Sequence, residues 1–376
     1  MVTFRHQGVT LYVASGGLGD LLLAAAIAET QRRWAIYAAI PWERPSVDPH
    51  VGPRALSDLK GIARDGGGYR VTGGTSALGC ASQLPVIADI LAPAPLYALN
   101  VAEPLSQQIE HLAEQHRADE ISLVDVGGDV LANGPAPGVV SPLSEALLIT
   151  ALRRVRHDDK TVIVGGLGLD GELSRGQIEE FLGKLTPTRL PAIDRKVARS
   201  WHTRGRVCRT EASLLALLSV LCHPMRVQVG EPFGSAVETS EFSARNYRIQ
   251  LDDLLDSGVP GSLFGPADSI TTVQAKLVEL GFPDELRHHA EWGSYSADGP
   301  RLSFDAYVTE PYITIRSLSR FMSGPKPTRE LLARLHRSLS RRNPELSPVV
   351  DRSTARAASE TVARADTCEI PAMQTD

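Results

Sequence analysis

The 376-residue sequence has few cysteines, few aromatic residues and no long apolar run. Its four cysteines, Cys80, Cys208, Cys222 and Cys368, form no CxxC pair, which excludes a zinc ribbon or a dithiol redox motif of that type. Scattered thiols without a signal-peptide pattern are typical of a reducing compartment, so we expect a cytoplasmic protein. The apolar run at residues 21–27 is far short of the ~20 residues that a membrane span needs, and we expect no membrane partner.

Positive charge is not in excess either. Lys and Arg number 39 against 44 Asp and Glu, which gives a formal net charge of -5. Nonspecific nucleic-acid binding needs a basic face that displaces counterions, so we expect no nucleic-acid partner. Hydrophobic residues make up 43% and charged residues 22%, the balance of a folded globular protein. These observations favour an enzyme or a binder of a small molecule.

Runs rich in β-branched residues alternate with helix-forming runs in the first half of the chain. Strands are predicted at residues 9–14, 35–40, 120–126 and 161–164. Helices are predicted at residues 21–33, 144–156 and 174–185. This alternation predicts an α/β, Rossmann-like fold, in which a mostly parallel, doubly wound sheet carries helices on both faces.

The chain divides into three parts by the regularity of its pattern. Residues 1–185 form the predicted Rossmann-like core with its glycine and aspartate loops. Residues 186–325 are less regular and either continue the same domain or form a small second domain. Residues 326–376 contain a basic amphipathic helix at residues 330–341 and, beyond Asn343, a segment poor in apolar residues that we predict to be a disordered tail.

Three of the predicted strands end in glycines followed by an aspartate. The loops contain Gly16, Gly17, Gly19 and Asp20; Gly127, Gly128 and Asp129; and Gly165, Gly166, Gly168 and Asp170, with Glu172 as a reserve carboxylate. Because ligands of doubly wound sheets bind outside the carboxyl ends of the strands, we expect the loops to converge on one pocket. Glycines let the backbone approach an anion such as phosphate. The three aspartates would bind Mg²⁺ or ligand hydroxyls, or one would act as a general base. Each loop alone could also be a tight turn with its aspartate as a helix N-cap.

Other candidate ligand-binding residues follow the second strand. Trp42 could stack on a base or sugar while Glu43 and Arg44 make polar contacts, or the segment could be a packed turn with a surface ion pair. Arg54 is a candidate for phosphate because its guanidinium matches an oxyanion bidentately, with a solvated arginine as the alternative. We expect Ser141 to cap the following helix, with contact to the ligand as the alternative.

Common catalytic motifs are missing from the sequence. There is no GxxxxGK[ST], GxSxG or HExxH, and the first glycine loop, SGGLGD, departs from GxGxxG after the second glycine. A Walker P-loop is therefore excluded. A serine hydrolase and a zinc protease are poorly supported.

Five motifs occur in one order along the chain: SGGLGDLLLAAAIA, PWER with the following VDPHVGPR, VDVGGDVLANG, SPLSEAL and GGLGLDGELS. Together they resemble the domain of unknown function 1152, a family of archaea and actinobacteria. The likeness covers roughly residues 9–180 and is fainter to about residue 310, and Leu18 stands where the family usually has glycine. The resemblance implies an α/β protein with a characteristic glycine–aspartate edge and assigns no reaction. A shorter likeness, confined to residues 16–25, is to the acceptor-side glycine loop of GT-B type glycosyltransferases.

Three functions fit this pattern. The first is a transferase-like enzyme, of specialised metabolism for example, that binds a nucleotide or phosphorylated small molecule and catalyses group transfer with Mg²⁺. The second is an NAD-binding oxidoreductase or NAD-consuming enzyme, in which Glu43 would bind the ribose. The third is a non-catalytic ligand-binding or scaffold protein that uses the basic helix and the tail. The sequence specifies neither the substrate nor the oligomeric state.

Overall fold

The computed structural model describes residues 8–44, 47–48, 50–79, 82–221, 224–229, 235–264, 269–291, 303–323, 329–342 and 347–368. Cys80, Cys222 and the side chain of Cys368 lie outside the described parts. Cys208 is a buried free thiol.

The described residues form strands and helices in alternation. The strands are β1 (Val9–Ala14), β2 (Trp34–Ala39), β3 (Leu59–Lys60), β4 (Ala63–Asp65), β5 (Gly68–Val71), β6 (Ser76–Ala77), β7 (Leu96–Ala98), β8 (Glu120–Val126), β9 (Lys160–Gly165), β10 (Thr188–Arg189), β11 (Met225–Gln228), β12 (Ala236–Thr239), β13 (Tyr247–Gln250), β14 (Tyr312–Thr314) and β15 (Val349–Asp351). The helices are α1 (Asp20–Gln31), α2 (Leu84–Leu91), α3 (Leu105–His116), α4 (Leu143–Leu152), α5 (Arg175–Gly183), α6 (Arg195–Gly205), α7 (Ala212–Leu221), α8 (Leu251–Asp256), α9 (Ile270–Glu279), α10 (Glu285–Glu291), α11 (Phe304–Tyr307), α12 (Ile315–Ser323), α13 (Arg329–Arg342) and α14 (Arg352–Cys368). Within the described parts of the chain, none of the helices is long and apolar enough to cross a membrane.

A nine-stranded sheet with a parallel centre organises most of the chain. Its order is β10-β13-β9-β8-β1-β2-β7-β5-β4, and the five strands from β9 to β7 pair in parallel. The strands at both ends pair antiparallel. Strand alternation sends Leu11 and Val13 to one core and Tyr12 and Ala14 to the other. Helices α3, α4, α5, α8 and α9 cover the face that carries Leu11 and Val13, and α1, α2, α6 and α7 cover the face that carries Tyr12 and Ala14. The predicted Rossmann-like α/β fold is therefore confirmed.

The order of the parallel strands places a topological switch between β1 and β8. The chain runs from β1 outward through β2 to β7, and then returns to the other side of β1 to form β8 and β9. The loops after β1 and β8 therefore leave in opposite directions, and a crevice opens between them. In sheets of this kind the crevice at the switch is where ligands bind.

A small second sheet follows the large one. Its order is β12-β11-β14-β15, and α12, α13 and α14 pack on it around Ile313, Leu318, Leu335 and Ala355. The region 186–325 contributes to both sheets, because β10 and β13 join the large one.

The prediction of a disordered tail is wrong for residues 347–368. Val349 and Val350 are buried in β15, which pairs antiparallel with β14, and α14 follows directly. His202 on α6 also contacts the carbonyl of Ser347 at 2.7 Å. The segment has few apolar residues, but those in β15 and the start of α14 complete a sheet that the rest of the chain leaves open at that edge.

Candidate functional site

A cleft opens at the switch point between β1 and β8. Its volume is about 1060 Å³ out to the solvent-open mouth. Nine of the residues selected from the sequence line it, namely Gly16, Gly17, Gly19, Asp20, Trp42, Glu43, Arg44, Asp129 and Asp170. Its lining thus includes Asp20, Asp129 and Asp170, the aspartates of all three glycine loops.

The other glycines of the predicted site do not line the cleft: Gly127, Gly128, Gly165, Gly166 and Gly168. They support the residues that do. A Cβ on Gly127 would lie 2.1 Å from Asp170 Oδ2, so the missing side chain lets the second and third loops meet. Gly166 has a φ of +58°, and a Cβ there would lie 2.7 Å from Val126. These glycines are required by turn geometry and close packing.

Arg54 is also outside the cleft. Its Nη2 donates to Asp48 Oδ1 at 2.7 Å, and its Nε contacts the second oxygen of the same carboxylate. Both side chains are buried. The Arg54 guanidinium therefore makes its bidentate contact with a carboxylate of the protein, within the loop after β2, and not with a phosphate ligand.

The first glycine loop holds its own carboxylate. The backbone N–H groups of Gly16 and Gly17 both donate to Asp20 Oδ2 at 3.1 Å. The predicted phosphate cradle is thus occupied by the side chain that begins α1. Gly19 serves a different purpose, because a Cβ there would lie 2.0 Å from Thr210 Oγ1 at the start of α7. It brings the two helix starts together.

Several acidic side chains meet at the floor of the cleft, and we call Asp125, Asp129, Glu145 and Asp170 the carboxylate cluster. One oxygen from each of Asp125, Asp129 and Glu145 lies within 4.8 Å of the others, and Asp129, Asp170 and Glu172 form a second such group. Asp129 belongs to both groups. Carboxylates at these separations repel one another strongly unless protons or cations lie between them.

Two members of the cluster, Asp125 and Glu145, were not predicted from the sequence. Asp125 lies within β8, where it looked like part of a buried strand, and it accepts from Ser15 Oγ at 3.1 Å and from Gly128 N at 2.9 Å. Glu145 lies on α4 and is 4% exposed. Its Oε2 has no hydrogen-bond partner among the described residues. A Cβ on Gly16 would lie 2.2 Å from Glu145 Oε1, so only glycine leaves room for this carboxylate.

The pKa values of the cleft carboxyls are raised. Burial and, to a lesser extent, the charge of Asp125 raise the pKa of Asp20 to about 8, while the N–H groups of Gly16 and Gly17 and the charge of Arg44 act to lower it. Burial also raises the pKa of Asp125 to about 6. For Asp129, Glu145 and Asp170, burial and then the neighbouring carboxylates hold the pKa well above its usual range. The cluster is therefore electrostatically unfavourable when fully ionised, and a bound cation would relieve it.

Glu172 positions the loops around the cluster. Its Oε2 accepts from Val140 N at 2.7 Å and Ser141 N at 3.1 Å, and its Oε1 accepts from Ser141 Oγ and lies 3.4 Å from Arg44 Nη2. The expectation that Ser141 caps the next helix is wrong, because α4 has no side-chain cap and Pro142 precedes its first residue; Ser141 instead lines the cleft. Glu285 Oε2 instead accepts from Leu143 N at 3.0 Å.

The residues after β2 are held by neighbours within the chain. Trp42 is 5% exposed, its Nε1 donates to His289 Nδ1 at 3.4 Å, and the two rings meet edge to face. Both oxygens of Glu43 accept from Gln83 N at 3.0 Å, which fixes the start of α2. Burial raises the pKa of Glu43 to about 7 and lowers that of His289 to about 3. Little of the indole remains open for stacking.

The opposite wall of the cleft comes from the second half of the chain. Arg209 and Thr210 lie just before α7, Ser213 lies in its first turn, and Arg316 lies in the first turn of α12. The backbone of Arg316 donates to Glu211 Oε1 at 3.2 Å, and its Nη2 donates to the carbonyl of Arg209 at 2.8 Å. No glycine–aspartate loop precedes these residues, so no motif in the sequence indicated that they would line the cleft.

The fold and the cleft define a class: a Rossmann-like α/β protein with buried carboxylates at the switch point of its parallel sheet. The family model described as Protein of unknown function (DUF1152) matches residues 11–292, most of the chain. The chain belongs to this family, and the resemblance seen in its motifs is confirmed. No curated protein and no solved structure matches it.

Proposed function

We propose that this protein is an enzyme that binds a nucleotide or another phosphorylated small molecule in the cleft and catalyses group transfer with a divalent cation such as Mg²⁺. The carboxylate cluster is the observation that supports this proposal. Magnesium prefers oxygen ligands and is commonly held by one or two carboxylates together with substrate phosphates.

The residues fit a cation in two respects. Asp125, Asp129 and Glu145 each offer an oxygen within 4.8 Å of the others. Glu145 Oε2 is buried and lacks a hydrogen-bond partner within the described parts of the chain, which is costly unless a ligand satisfies it. A bound cation would neutralise charge on a phosphoryl oxygen and lower the pKa of a coordinated water.

Asp20 is the best candidate for proton transfer. Its pKa of about 8 lies close to neutral pH, where a general acid or base works most effectively. It lines the same cleft as the cluster, and Gly16 and Gly17 fix its orientation.

The two other functions expected from the sequence gain no specific support. Glu43, the candidate ribose ligand of an NAD site, already accepts twice from Gln83 N. The C-terminal segment, which a scaffold would offer to a partner, pairs through β15 with this chain's own β14.

The test is a calorimetric titration of Mn²⁺ or Mg²⁺ into protein freed of metal with EDTA. We expect wild type to bind at micromolar to millimolar concentration and Asp129→Asn to bind at least tenfold more weakly. Asp158→Asn is the matched control, since Asp158 is exposed in the loop before β9, at the opposite edge of the sheet. A thermal-shift screen of nucleotides and sugar phosphates at saturating Mg²⁺ then follows. Wild type that binds neither cation, even at ten millimolar, would exclude the proposed chemistry.

A further inference from the structure

We propose that Arg209, Ser213 and Arg316 form a phosphate-binding subsite on the wall that faces the carboxylate cluster. This inference rests on the proposed function and names the group that the substrate presents to this wall: a phosphate or pyrophosphate. The phosphate would lie between the guanidinium groups on one side and the cation on the other.

The first observation is a set of buried polar atoms without partners. Within the described parts of the chain, three such atoms belong to cleft residues: Glu145 Oε2, Ser213 Oγ and Arg316 Nε. Ser213 is 1% exposed, so water does not replace the missing partner readily. A buried hydroxyl or guanidinium N–H without a partner destabilises the folded protein. Both groups on this wall can donate to an oxyanion, which explains their placement.

The second observation is the charge and backbone geometry of the wall. Arg209 lies three residues before α7 and Ser213 is its second residue; α7 is a ten-residue helix whose N-terminal dipole favours an anion. Arg316 is oriented by its backbone bond to Glu211 and by its Nη2 bond to the Arg209 carbonyl. Its Nε forms an ion pair with Glu211 Oε1 at 3.8 Å, a separation too long for a hydrogen bond, so that N–H can still donate to a ligand.

The two walls are close enough to share one ligand. A Cβ on Gly19 would lie 2.0 Å from Thr210 Oγ1 and 3.3 Å from Ser213 Oγ, so the start of α7 lies directly against the start of α1. Asp20, the next residue, lines the cleft together with Asp125 and interacts electrostatically with it. An anion bound by Arg209, Ser213 and Arg316, which we call the arginine wall, would therefore lie next to a cation bound by the carboxylate cluster. In this arrangement a metal-bound phosphate is held from both sides.

The proposal is tested by titrating inorganic pyrophosphate into the full-length protein at saturating Mg²⁺. Ser213→Ala should weaken pyrophosphate binding roughly tenfold, the effect of one lost hydrogen bond. Arg316→Met should weaken it by more than tenfold. Both variants should keep the Mg²⁺ affinity of wild type within about twofold, since neither residue belongs to the cluster.

Stability provides a second measurement and a matched control. Ser213→Ala removes an unsatisfied hydroxyl, so the ligand-free variant should melt at or above the temperature of wild type. Ser219→Ala, on the same helix, removes a satisfied hydroxyl that donates to Leu215 O at 2.9 Å. It should lower the melting temperature and leave pyrophosphate affinity unchanged.

The outcomes separate this subsite from the proposed function. Pyrophosphate affinity that is equal in wild type and Ser213→Ala overturns the subsite, even if Mg²⁺ binds as expected. Wild type that binds Mg²⁺ but no pyrophosphate also overturns it. If Mg²⁺ fails to bind but pyrophosphate still binds in EDTA and depends on Ser213, the proposed cation chemistry fails and the subsite stands.

Discussion

The raised carboxyl pKa values predict that the metal-free protein loses stability as pH rises. Asp20 has an ordinary pKa of 3.8, which we take for the unfolded chain, and a folded value of about 8. Between these values the folded protein keeps a proton that the unfolded chain has released, so the free energy of unfolding falls with increasing pH. The loss begins near pH 4 and is complete above pH 8.

The magnitude follows from the same two values. One pH unit across this window corresponds to about 1.4 kcal/mol for one carboxyl, so Asp20 alone contributes on the order of 5 kcal/mol. For a chain of this size that is a change in melting temperature of roughly 5–10 °C. Asp125, with a folded pKa of about 6, adds to the effect between pH 4 and pH 6. A cation competes with these protons, so the stabilisation by Mg²⁺ should increase with pH and reach about 2.7 kcal/mol at a hundredfold excess over its Kd.

The assay is differential scanning calorimetry from pH 5 to pH 8.5, with EDTA and with Mg²⁺. Asp20→Asn should flatten the pH dependence, because its amide oxygen can still accept from Gly16 and Gly17 while no proton is exchanged. Asp158→Asn should keep the wild-type profile. A melting temperature that rises between pH 5 and pH 8 in EDTA, or a Mg²⁺ shift that is the same at every pH, would refute the reasoning.

Three further predictions concern the geometry of the site and the C-terminal segment. Gly16→Ala should weaken Mn²⁺ binding at least tenfold in calorimetry, because the new Cβ would lie 2.2 Å from Glu145 Oε1; unchanged affinity would remove Glu145 from the cation site. Glu172→Ala should lower the free energy of unfolding by about 2–5 kcal/mol in urea titrations, since it leaves the partly buried N–H of Val140 and the buried N–H of Ser141 unpaired; a loss below 1 kcal/mol would contradict its positioning role. Deleting residues 347–376 should lower the melting temperature and expose the small sheet to limited proteolysis, because it removes β15 and α14; a truncated chain as stable as wild type would show that this edge is not needed.

Much of the fold could be predicted because its signals are local. Strands β1 and β8 span the residues predicted for them, and α5 begins directly after its N-cap Ser174, the first residue of the helix predicted at residues 174–185. The basic helix predicted at residues 330–341 is α13. The prediction of disorder beyond Asn343 failed because it used the average apolar content of the segment. That average does not reveal the few apolar residues that are buried in β15.

The sequence predicted only those site residues that follow the end of a strand. Asp20, Asp129 and Asp170 follow glycines at strand ends, and such positions must lie at one edge of a parallel sheet. Asp125 and Glu145 lie inside regular elements, where an acidic residue carries no local mark of its surroundings. The arginine wall depends on how the second half of the chain folds back over the first. Arg54 was predicted to bind phosphate, but its guanidinium binds the carboxylate of Asp48 instead.

The way the large sheet ends has a consequence for the behaviour of the protein at high concentration. Its outermost strands, β4 and β10, are only three and two residues long and carry exposed Arg64 and Arg189. Such short, charged borders offer few unpaired backbone groups to a strand of another molecule. The longer parallel strands at the centre of the sheet are shielded on both sides, so the large sheet provides a poor template for growth into fibrils.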